Sequence, residues 1–577
     1  MAPWCQPAAA QVPPAATPGG AFPRVEPAVQ PAPRSGELFD IPRASDRTPD
    51  SNSGPRVFVK TFRLKGAIQS REHHVTATRA QSLLDAARSA QPAQGFSLSQ
   101  LQGVADKVAA YYHEHGFILA QVFVPQQQVT NGEVVVSVLE GRLASVRVEG
   151  NQSYPVPVLS RPFNDLVGAP VDKDSIEAAL LTLTTYPGIT AFGVLGPGKD
   201  IGTTNLTLRV QDEERYRFES AVDNYGTKLA GEYRGQMTFT LNNPLHRADR
   251  LRLTGLYAMR SFGGDSHGAY GGVDYEIPLF GPNDSLRVSH LKNAYTVGAS
   301  AASVLTEDSK GDTRVEELAW RHDFSRTRAG SASVGLALNV KSATFESQPA
   351  VLYDDKLTTA RMDALWERVD FRGVNRVALS YTHGFDDVFG SLDAYDPVAA
   401  AAGMSKASRL GASGKFDKVS LQVQRLQRLT QYTSLVLRLD GQYTNDPLVS
   451  LEQFSMGGPD SVRAYSVAEA LAEKGGVASL ELIAGAPGFA SLPAFGTHTW
   501  GQILQFALFV DYANGELNAP LVSSQRDSID LAGAGGSIQF SVPGKVFTRL
   551  DLATPLTRRA PSNDRDPQIY FRFGMTF

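Results

Sequence analysis

The pattern of hydrophobic and polar positions changes twice along the chain, near residue 55 and near residue 213. Residues 1–55 show little periodic apolar pattern. Residues 57–212 combine helical stripes with alternating strands, and beyond residue 213 helical spacing nearly disappears. Because helices repeat every 3.6 residues and strands every two, this pattern predicts a linker, an α+β region and a long β region.

The α+β region contains the order strand, helix, helix, strand, strand twice. In the first copy, VFVKTFRL, FILAQVFVP and EVVVSVLEG alternate as strands, and the helix after Ser97 or Ser99 ends at Gly116. In the second copy, Asp174 and Glu177 have the spacing of a capping box that opens a helix. Each copy is long enough for a small domain. We therefore expect two βααββ domains, at 57–142 and 143–212.

Residues 214–577 contain about sixteen strand-like segments separated by Gly, Asn, Asp and Pro turns. They start near residues 216, 233, 249, 268, 284, 312, 330, 357, 373, 415, 432, 477, 501, 527, 545 and 568. An even number of antiparallel strands, with charges such as Arg438 and Asp440 alternating with leucines, is typical of an outer-membrane barrel. A soluble sandwich could also expose such charges, so the residues alone leave both folds open.

The amino-acid composition argues against several classes of protein. With 55 Lys and Arg against 59 Asp and Glu, the net charge is −4, which argues against a basic nucleic-acid binder. The single cysteine, Cys5, excludes an internal disulfide framework and a thiolate zinc cluster. The Pro/Ala-rich residues 1–55 predict an extended linker, too rich in proline for a helical plug, and they show no secretory signal.

Several segments resemble catalytic or ligand-binding motifs, but the residues around them do not fit those motifs. Gly193–Lys199 begins like a phosphate loop, but Asp200 replaces the hydroxyl residue and a strand follows where a helix is needed. His73, His74, His113 and His115 have no acidic or thiolate companions at metal-ligand spacing. No nucleophile elbow is present. We expect no enzyme activity, no metal and no cofactor.

Four segments resemble the two-partner secretion transporters (TpsB proteins of the ShlB/FhaC/HecB haemolysin secretion/activation type), which are relatives of BamA. They are HGFILAQVFVPQQQVTNGEVVVSVLEGRL, ESAVDNYGTKLAGEYRGQMTFTLNNPL, FSMGGPDSVRAYS and QFALFVDYANGEL. The third matches the family loop F-x-x-G-G-x-x-S-V-R-G-Y except at Ala464, and the fourth has Ala513 in a glycine position. The resemblance implies two POTRA domains and a 16-stranded transmembrane β-barrel, with Phe573 and Phe577 in its C-terminal signal.

The segment 446–476 is too long for a hairpin turn, so it extends into solvent or folds into the lumen. Phe509 and Asp511 face inward, because Phe506, Leu508, Val510 and Tyr512 form the apolar face of their strand. From the residues alone, Arg463 is equally well an exposed loop charge. The resemblance implies instead that it pairs with Asp511 inside the barrel and stacks on Phe509. Further residues expected at this loop site are Gly457, Gly458, Tyr465 and the rival partner Glu481.

The resemblance also implies a function. POTRA domains in the periplasm would bind a large TpsA-like exoprotein at edge strands, and a monomeric barrel in outer-membrane lipid would pass the unfolded exoprotein to the surface. The edges expected to bind it are 118–124, with Leu119, Gln121 and Phe123, and 190–196, with Phe192 and Val194. Two other functions remain open: a BamA-like barrel-assembly factor, which usually has more POTRA domains, and a passive porin.

Overall fold

The computed structural model describes residues 12–23, 39–40, 56–71, 73–260, 265–298, 308–347, 350–396, 398, 407–518 and 528–577. The chain divides into two compact units. One comprises residues 35–214 with 246–248, and the other comprises the remainder. Within the described residues, no α-helix combines the length and the apolar character needed to cross a bilayer.

The first domain of the smaller unit is a three-stranded sheet covered by two helices. Its elements are β2 (Thr61–Lys65), α2 (Ala77–Ser89), α3 (Leu98–Glu114), β3 (Gln121–Phe123) and β4 (Glu133–Leu139). The strand order is β2-β4-β3, which leaves β3 at an edge. Ser97, one of the two serines that the sequence offered as the start of α3, forms a capping box there with Gln100. The apolar stripes of both helices pack on the buried residues of β4.

The second domain has the strand order β1-β6-β7-β5. Its elements are β1 (Phe39–Asp40), β5 (Arg142–Glu149), α4 (Val156–Ser160), α5 (Lys173–Leu183), β6 (Ile189–Pro197) and β7 (Thr203–Asp212). The prediction that Asp174 caps the second helix is wrong, because the cap is Asp172, whose carboxylate accepts hydrogen bonds from the amides of Asp174 and Ser175. The phosphate-loop-like segment lies in the β6–β7 hairpin.

One predicted edge strand is occupied by the chain itself. Strand β1 pairs in parallel with β6, placing Phe39 beside Gly193 and Asp40 beside Val194. Residues 190–196 are therefore not a free edge along their whole length, and residues 39–40 are not part of an unstructured linker. A short extended segment suffices for this pairing because it uses only backbone hydrogen bonds.

The larger unit is a closed barrel of sixteen antiparallel neighbours, which confirms the predicted fold class. Its strands are β8 (Tyr216–Asp223), β9 (Tyr233–Asn242), β10 (Arg250–Met259), β11 (His267–Pro278), β12 (Asp284–Val297), β13 (Ser309–Thr327), β14 (Gly330–Ser347), β15 (Ala350–Asp370), β16 (Gly373–Phe385), β17 (Phe416–Arg428), β18 (Thr433–Tyr443), β21 (Lys474–Gly485), β22 (Leu504–Glu516), β23 (Ser528–Val542), β24 (Val546–Pro555) and β25 (Gln568–Thr576). The short strands β19 (Phe454–Met456) and β20 (Ala470–Ala472) belong to the loop between β18 and β21.

The barrel wall has an apolar outer face and a polar inner face. On β22, Leu508 and Val510 are exposed on the outside, whereas Phe509 and Asp511 are buried on the inside. The barrel closes between β25 and β8, where five residue pairs run from Arg572–Asp223 to Thr576–Glu219. This alternation is the one expected for a wall that separates lipid from an aqueous lumen.

Residues 12–23 contradict the prediction of an extended linker, although they contain no helix longer than one turn. A 3-10 turn, Pro14–Ala16, and a turn of α-helix, α1 (Pro18–Ala21), lie inside the barrel. The Tyr295 hydroxyl donates to the Ala16 carbonyl at 3.0 Å, and Phe22 packs edge-on against Tyr270. Proline limits the helix to one turn, but the pattern of the segment gave no sign that it would bury Ala16 against the inner wall.

A charge on the outer face should destabilise the barrel. Leu508 is 68% exposed near the middle of β22, so we expect Leu508→Arg to lower the free energy of unfolding in lipid vesicles by about 2–4 kcal/mol. The control Gln431→Arg, in the exposed turn after β17, should have little effect. Denaturant titration followed by gel mobility measures both, and equal stability of the two variants would contradict a lipid-facing β22.

Candidate functional site: an inward loop held by buried charges

The loop 444–473 between β18 and β21 folds back against the inner wall of the barrel. It contains a 3-10 turn at Ser450–Glu452 and the small antiparallel hairpin β19–β20. Val462, Ala464 and Tyr465 at its tip are completely buried. The loop therefore folds into the lumen and does not extend into solvent.

Arg463 at the tip of the loop lies in a set of polar wall residues, here called the tip cluster: Ser479, Glu481 and Asp511. Arg463 Nε donates to Asp511 Oδ2 and Nη2 donates to Oδ1, each at 2.8 Å. Nη1 donates to Glu481 Oε2 at 2.7 Å, and the Arg463 amide also donates to Asp511. Both carboxylates expected as partners therefore contact the same guanidinium, and Asp511 forms a bidentate pair with it.

The tip cluster is nearly inaccessible to water. Arg463 is 3% exposed and Asp511 0%. The Ser479 hydroxyl donates to Asp511 at 2.7 Å, and the guanidinium carbon lies 3.3 Å from the centroid of the Phe509 ring. This geometry combines a bidentate ion pair with a cation–π contact, for which arginine is better suited than lysine.

Two further charges extend the cluster and were not assigned to it from the sequence. Arg549 on β24 pairs with Asp551 at 2.9 Å and reaches Glu481 at 3.4 Å. Asp551 itself lies 4.0 Å from Arg463. The sequence FTRLDLA (547–553) shows that Arg549 and Asp551 are charges in the middle of a strand. Only the register of β24 against β23 places them beside the loop tip.

Backbone conformation explains the remaining residues of the loop motif. Gly457 and Gly458 have φ angles of +93° and +99°, a region that favours glycine, and a Cβ on Gly457 would overlap the Ser466 carbonyl. Tyr465 shares a hydrogen bond of 2.6 Å with Thr557. Neither alanine that departs from the family pattern has a positive φ, and the methyl group of Ala464 faces Gly533, where a side chain would collide with it.

The base of the loop is held by a second set of charges, the base cluster: Lys341, Lys418 and Glu452. Lys341 Nζ lies 2.6 Å from Glu452 Oε1, and Lys418 Nζ lies 2.7 Å from Oε2. The adjacent Ser450 accepts a hydrogen bond from the Gly19 amide of the N-terminal segment at 3.3 Å. No sequence signal identified this cluster, because its members lie far apart in the chain.

The other expected site residues lie on other elements of the chain. Gln121 and Phe123 lie on edge strand β3, and Leu119 lies just before it. Phe192 and Val194 lie on β6, next to β1. Phe573 and Phe577 are exposed at the end of β25.

One histidine departs from the sequence expectation. His73 Nε2 lies 3.3 Å from Asp172 Oδ1, so it does have an acidic companion, with Asp174 also nearby. The fold brings His73 close to Asp172 and Asp174, which are about 100 residues away in the sequence. Both oxygens of Asp172 accept amide hydrogen bonds at the start of α5, so the arrangement is a helix cap with a neighbouring histidine.

Comparisons with known proteins cover most of the chain. Residues 202–536 match the model of the family described as haemolysin secretion/activation protein ShlB/FhaC/HecB, and residues 70–141 match the POTRA domain of ShlB type. The chain is 23% identical to the heme/hemopexin transporter protein HuxB of Haemophilus influenzae, over 83% of this chain and 81% of that protein. It is also 23% identical to the hemolysin transporter protein ShlB of Serratia marcescens, over 65% and 64% of the two chains.

Solved structures show the same fold. CdiB from Escherichia coli superposes with a TM-score of 0.71 at 21% identity, covering 94% of each chain. BamA from Haemophilus ducreyi lacking POTRA domains 1–3 superposes with a TM-score of 0.51 at 15% identity, covering 90% of this chain and all of that one.

Removing the buried guanidinium should destabilise the barrel strongly. Arg463→Ala leaves the carboxylates of Asp511 and Glu481 without their main partner, and we expect a loss of about 3–5 kcal/mol in the free energy of unfolding. Arg314→Ala removes an exposed ion pair with Asp312 and should cost at most about 1 kcal/mol. Denaturant titration in vesicles compares them, and equal losses would contradict the proposed role of burial.

Proposed function

We propose, on the premise that this chain belongs to the haemolysin secretion/activation family ShlB/FhaC/HecB, that its inward loop gates the passage of a partner exoprotein through the barrel. As a member of that family, the chain is an outer-membrane transporter of two-partner secretion, with its POTRA domains in the periplasm. The family match supports this function over barrel assembly. The partner, the gating residues and the route are the proposed parts.

The observation that carries the proposal is the buried tip cluster. An unfolded chain needs the part of the lumen that the inward loop occupies, so the loop must move. Movement separates Arg463 from Asp511 and Glu481, to which it donates at 2.8 and 2.7 Å respectively. An exoprotein can shift this equilibrium only by binding the displaced state more tightly than the inward state. The tip cluster would then keep the barrel closed until the exoprotein arrives.

Recognition would occur at the edges of the POTRA sheets. Strand β3 lies at an edge and offers backbone groups to an extended segment. On the second domain, β1 already pairs with β6, so an exoprotein segment would have to displace residues 39–40. This exchange resembles strand addition by backbone hydrogen bonds, in which one extended segment replaces another.

Binding and folding would drive the transport. The periplasm has no ATP, so the exoprotein must be drawn outward by its own folding at the surface. One chain closes its barrel completely, which supports a monomer, and the proposed roles require binding rather than catalysis. Outer-membrane lipid would surround the apolar outer face.

Secretion by an Arg463 variant tests the gate. We expect Arg463→Ala, expressed at wild-type level as a heat-modifiable barrel, to secrete its partner exoprotein at least about tenfold less efficiently, because the loop loses the arrangement that exoprotein binding must act on. Arg463→Lys keeps the charge but not the bidentate pair, and its secretion should be intermediate. Arg314→Ala is the matched control. Secretion at the wild-type rate by Arg463→Ala would rule out a gating role.

A reversible cross-link tests strand exchange at β6. The Cα atoms of Asp40 and Val194 are register partners in neighbouring strands, a separation of about 4.8 Å that a disulfide can span. In a Cys5→Ser background, we expect the oxidised Asp40→Cys/Val194→Cys variant to stop secretion and a reductant to restore it. The single-cysteine variants should secrete normally. Undiminished secretion by the oxidised variant would show that β6 does not bind the exoprotein.

A further inference from the structure

The connection between β21 and β22 differs from its neighbours at the same rim of the barrel. This is the rim at which β8 begins and β25 ends, and the POTRA assignment places it in the periplasm. The other connections at this rim have seven residues or fewer: 243–249, 279–283, 328–329, 371–372, 429–432 and 543–545. The connection 486–503, here called the rim segment, is more than twice as long as any of these and contains a short helix, α6 (Trp500–Ile503).

The composition of the rim segment is unusual for a surface connection. From residue 482 to residue 510 the sequence contains no Asp, Glu, Lys or Arg. Phe489, Leu492 and Phe495 are 37%, 54% and 56% exposed. A run of exposed apolar side chains without a charge is unfavourable in water and marks a surface that is covered by another phase or molecule.

The rim segment is nevertheless well ordered by its own hydrogen bonds. The amides of Leu492, Ala494, Trp500 and Gly501 donate to carbonyls within the segment at 2.9–3.0 Å. Thr499 and Gln502 form a capping box at α6. Satisfying backbone groups internally is the condition for placing irregular backbone near hydrocarbon.

The rim segment continues the lipid-facing surface of the barrel. Phe495 packs edge-on against Phe540 of β23 at 6.4 Å and against Trp500 at 5.9 Å. Phe540 shares its face of β23 with Ile538, because side chains two apart point the same way. Ile538 in turn lines an apolar outer depression with Phe506, Leu508 and Leu552. The segment therefore folds outward over the lipid-facing side of β22 and β23.

We propose that the rim segment is a membrane foot that enters the boundary between headgroups and acyl chains in the inner leaflet of the outer membrane. The partner is lipid, because the exposed apolar residues are contiguous with the lipid-facing wall and lack any charge that a protein partner could pair with. Aromatic side chains such as Trp500 and Phe495 suit this boundary, where one part of the ring is apolar and the surroundings are wet. The foot would fix the depth of the barrel beside β21 and β22, the strands that carry the tip cluster.

Spin-label accessibility tests the membrane foot on the full chain in lipid nanodiscs, without an exoprotein. In a Cys5→Ser background, a nitroxide is placed at Leu492→Cys, at Leu508→Cys on the lipid-facing wall, or at Gln431→Cys in the adjacent exposed turn. Collision rates with oxygen and with a water-soluble nickel complex give the depth of each label. We expect the Leu492 label to be more accessible to oxygen and less accessible to nickel than the Gln431 label, and to report a depth between those of Gln431 and Leu508.

Every other outcome overturns the proposal. A label at Leu492 as accessible to nickel as the label at Gln431 would place the segment in water. Protection that appears only on adding an exoprotein secretion domain would make it a docking surface for the exoprotein, and dipolar broadening between labels would make it a contact between two copies. Should Leu492→Cys fail to assemble, Ser491→Cys, whose side chain is also exposed, gives the same measurement.

Discussion

A guanidinium buried inside a barrel must be surrounded by negative charge, since an isolated buried ion is far costlier than a paired one. Around Arg463 the barrel supplies Asp511 from β22, Glu481 from β21 and, slightly farther away, Asp551 from β24. These carboxylates come from separate strands of the wall, so the loop position and the strand register depend on each other. A shift of the loop or of the strand register would leave a buried charge without its partner.

This dependence gives the loop two well-separated attachments. At the tip, Arg463 joins the loop to the wall, and at the base Glu452 lies between Lys341 and Lys418. The N-terminal segment meets the loop beside Glu452, through Gly19 and Ser450. A loop held at both ends, with a second segment resting on it, favours a change between discrete arrangements over gradual deformation.

The parts predicted from the sequence are those with local signals. Alternation and turn residues located the barrel strands, and a helical stripe after Ser97 or Ser99 located α3. The pairing of Arg463 with Asp511 was predicted because the loop and strand motifs that contain them resemble those of the family. Arg549, Lys341 and Lys418 were missed because only strand register brings them to the loop. The lumen position of residues 12–23 depends on contacts such as Ala16 with Tyr295, which no local pattern encodes.

Displacement of the loop during transport is the central claim, and a distance measurement tests it directly. Nitroxides at Asp460→Cys in the loop and Tyr443→Cys on the outer face of β18, in a Cys5→Ser chain, report the loop-to-wall distance by double electron–electron resonance. With an exoprotein stalled in the lumen by a folded carboxyl-terminal domain, we predict a second distance population absent from the resting barrel. An unchanged single distance while the exoprotein occupies the lumen would contradict the account.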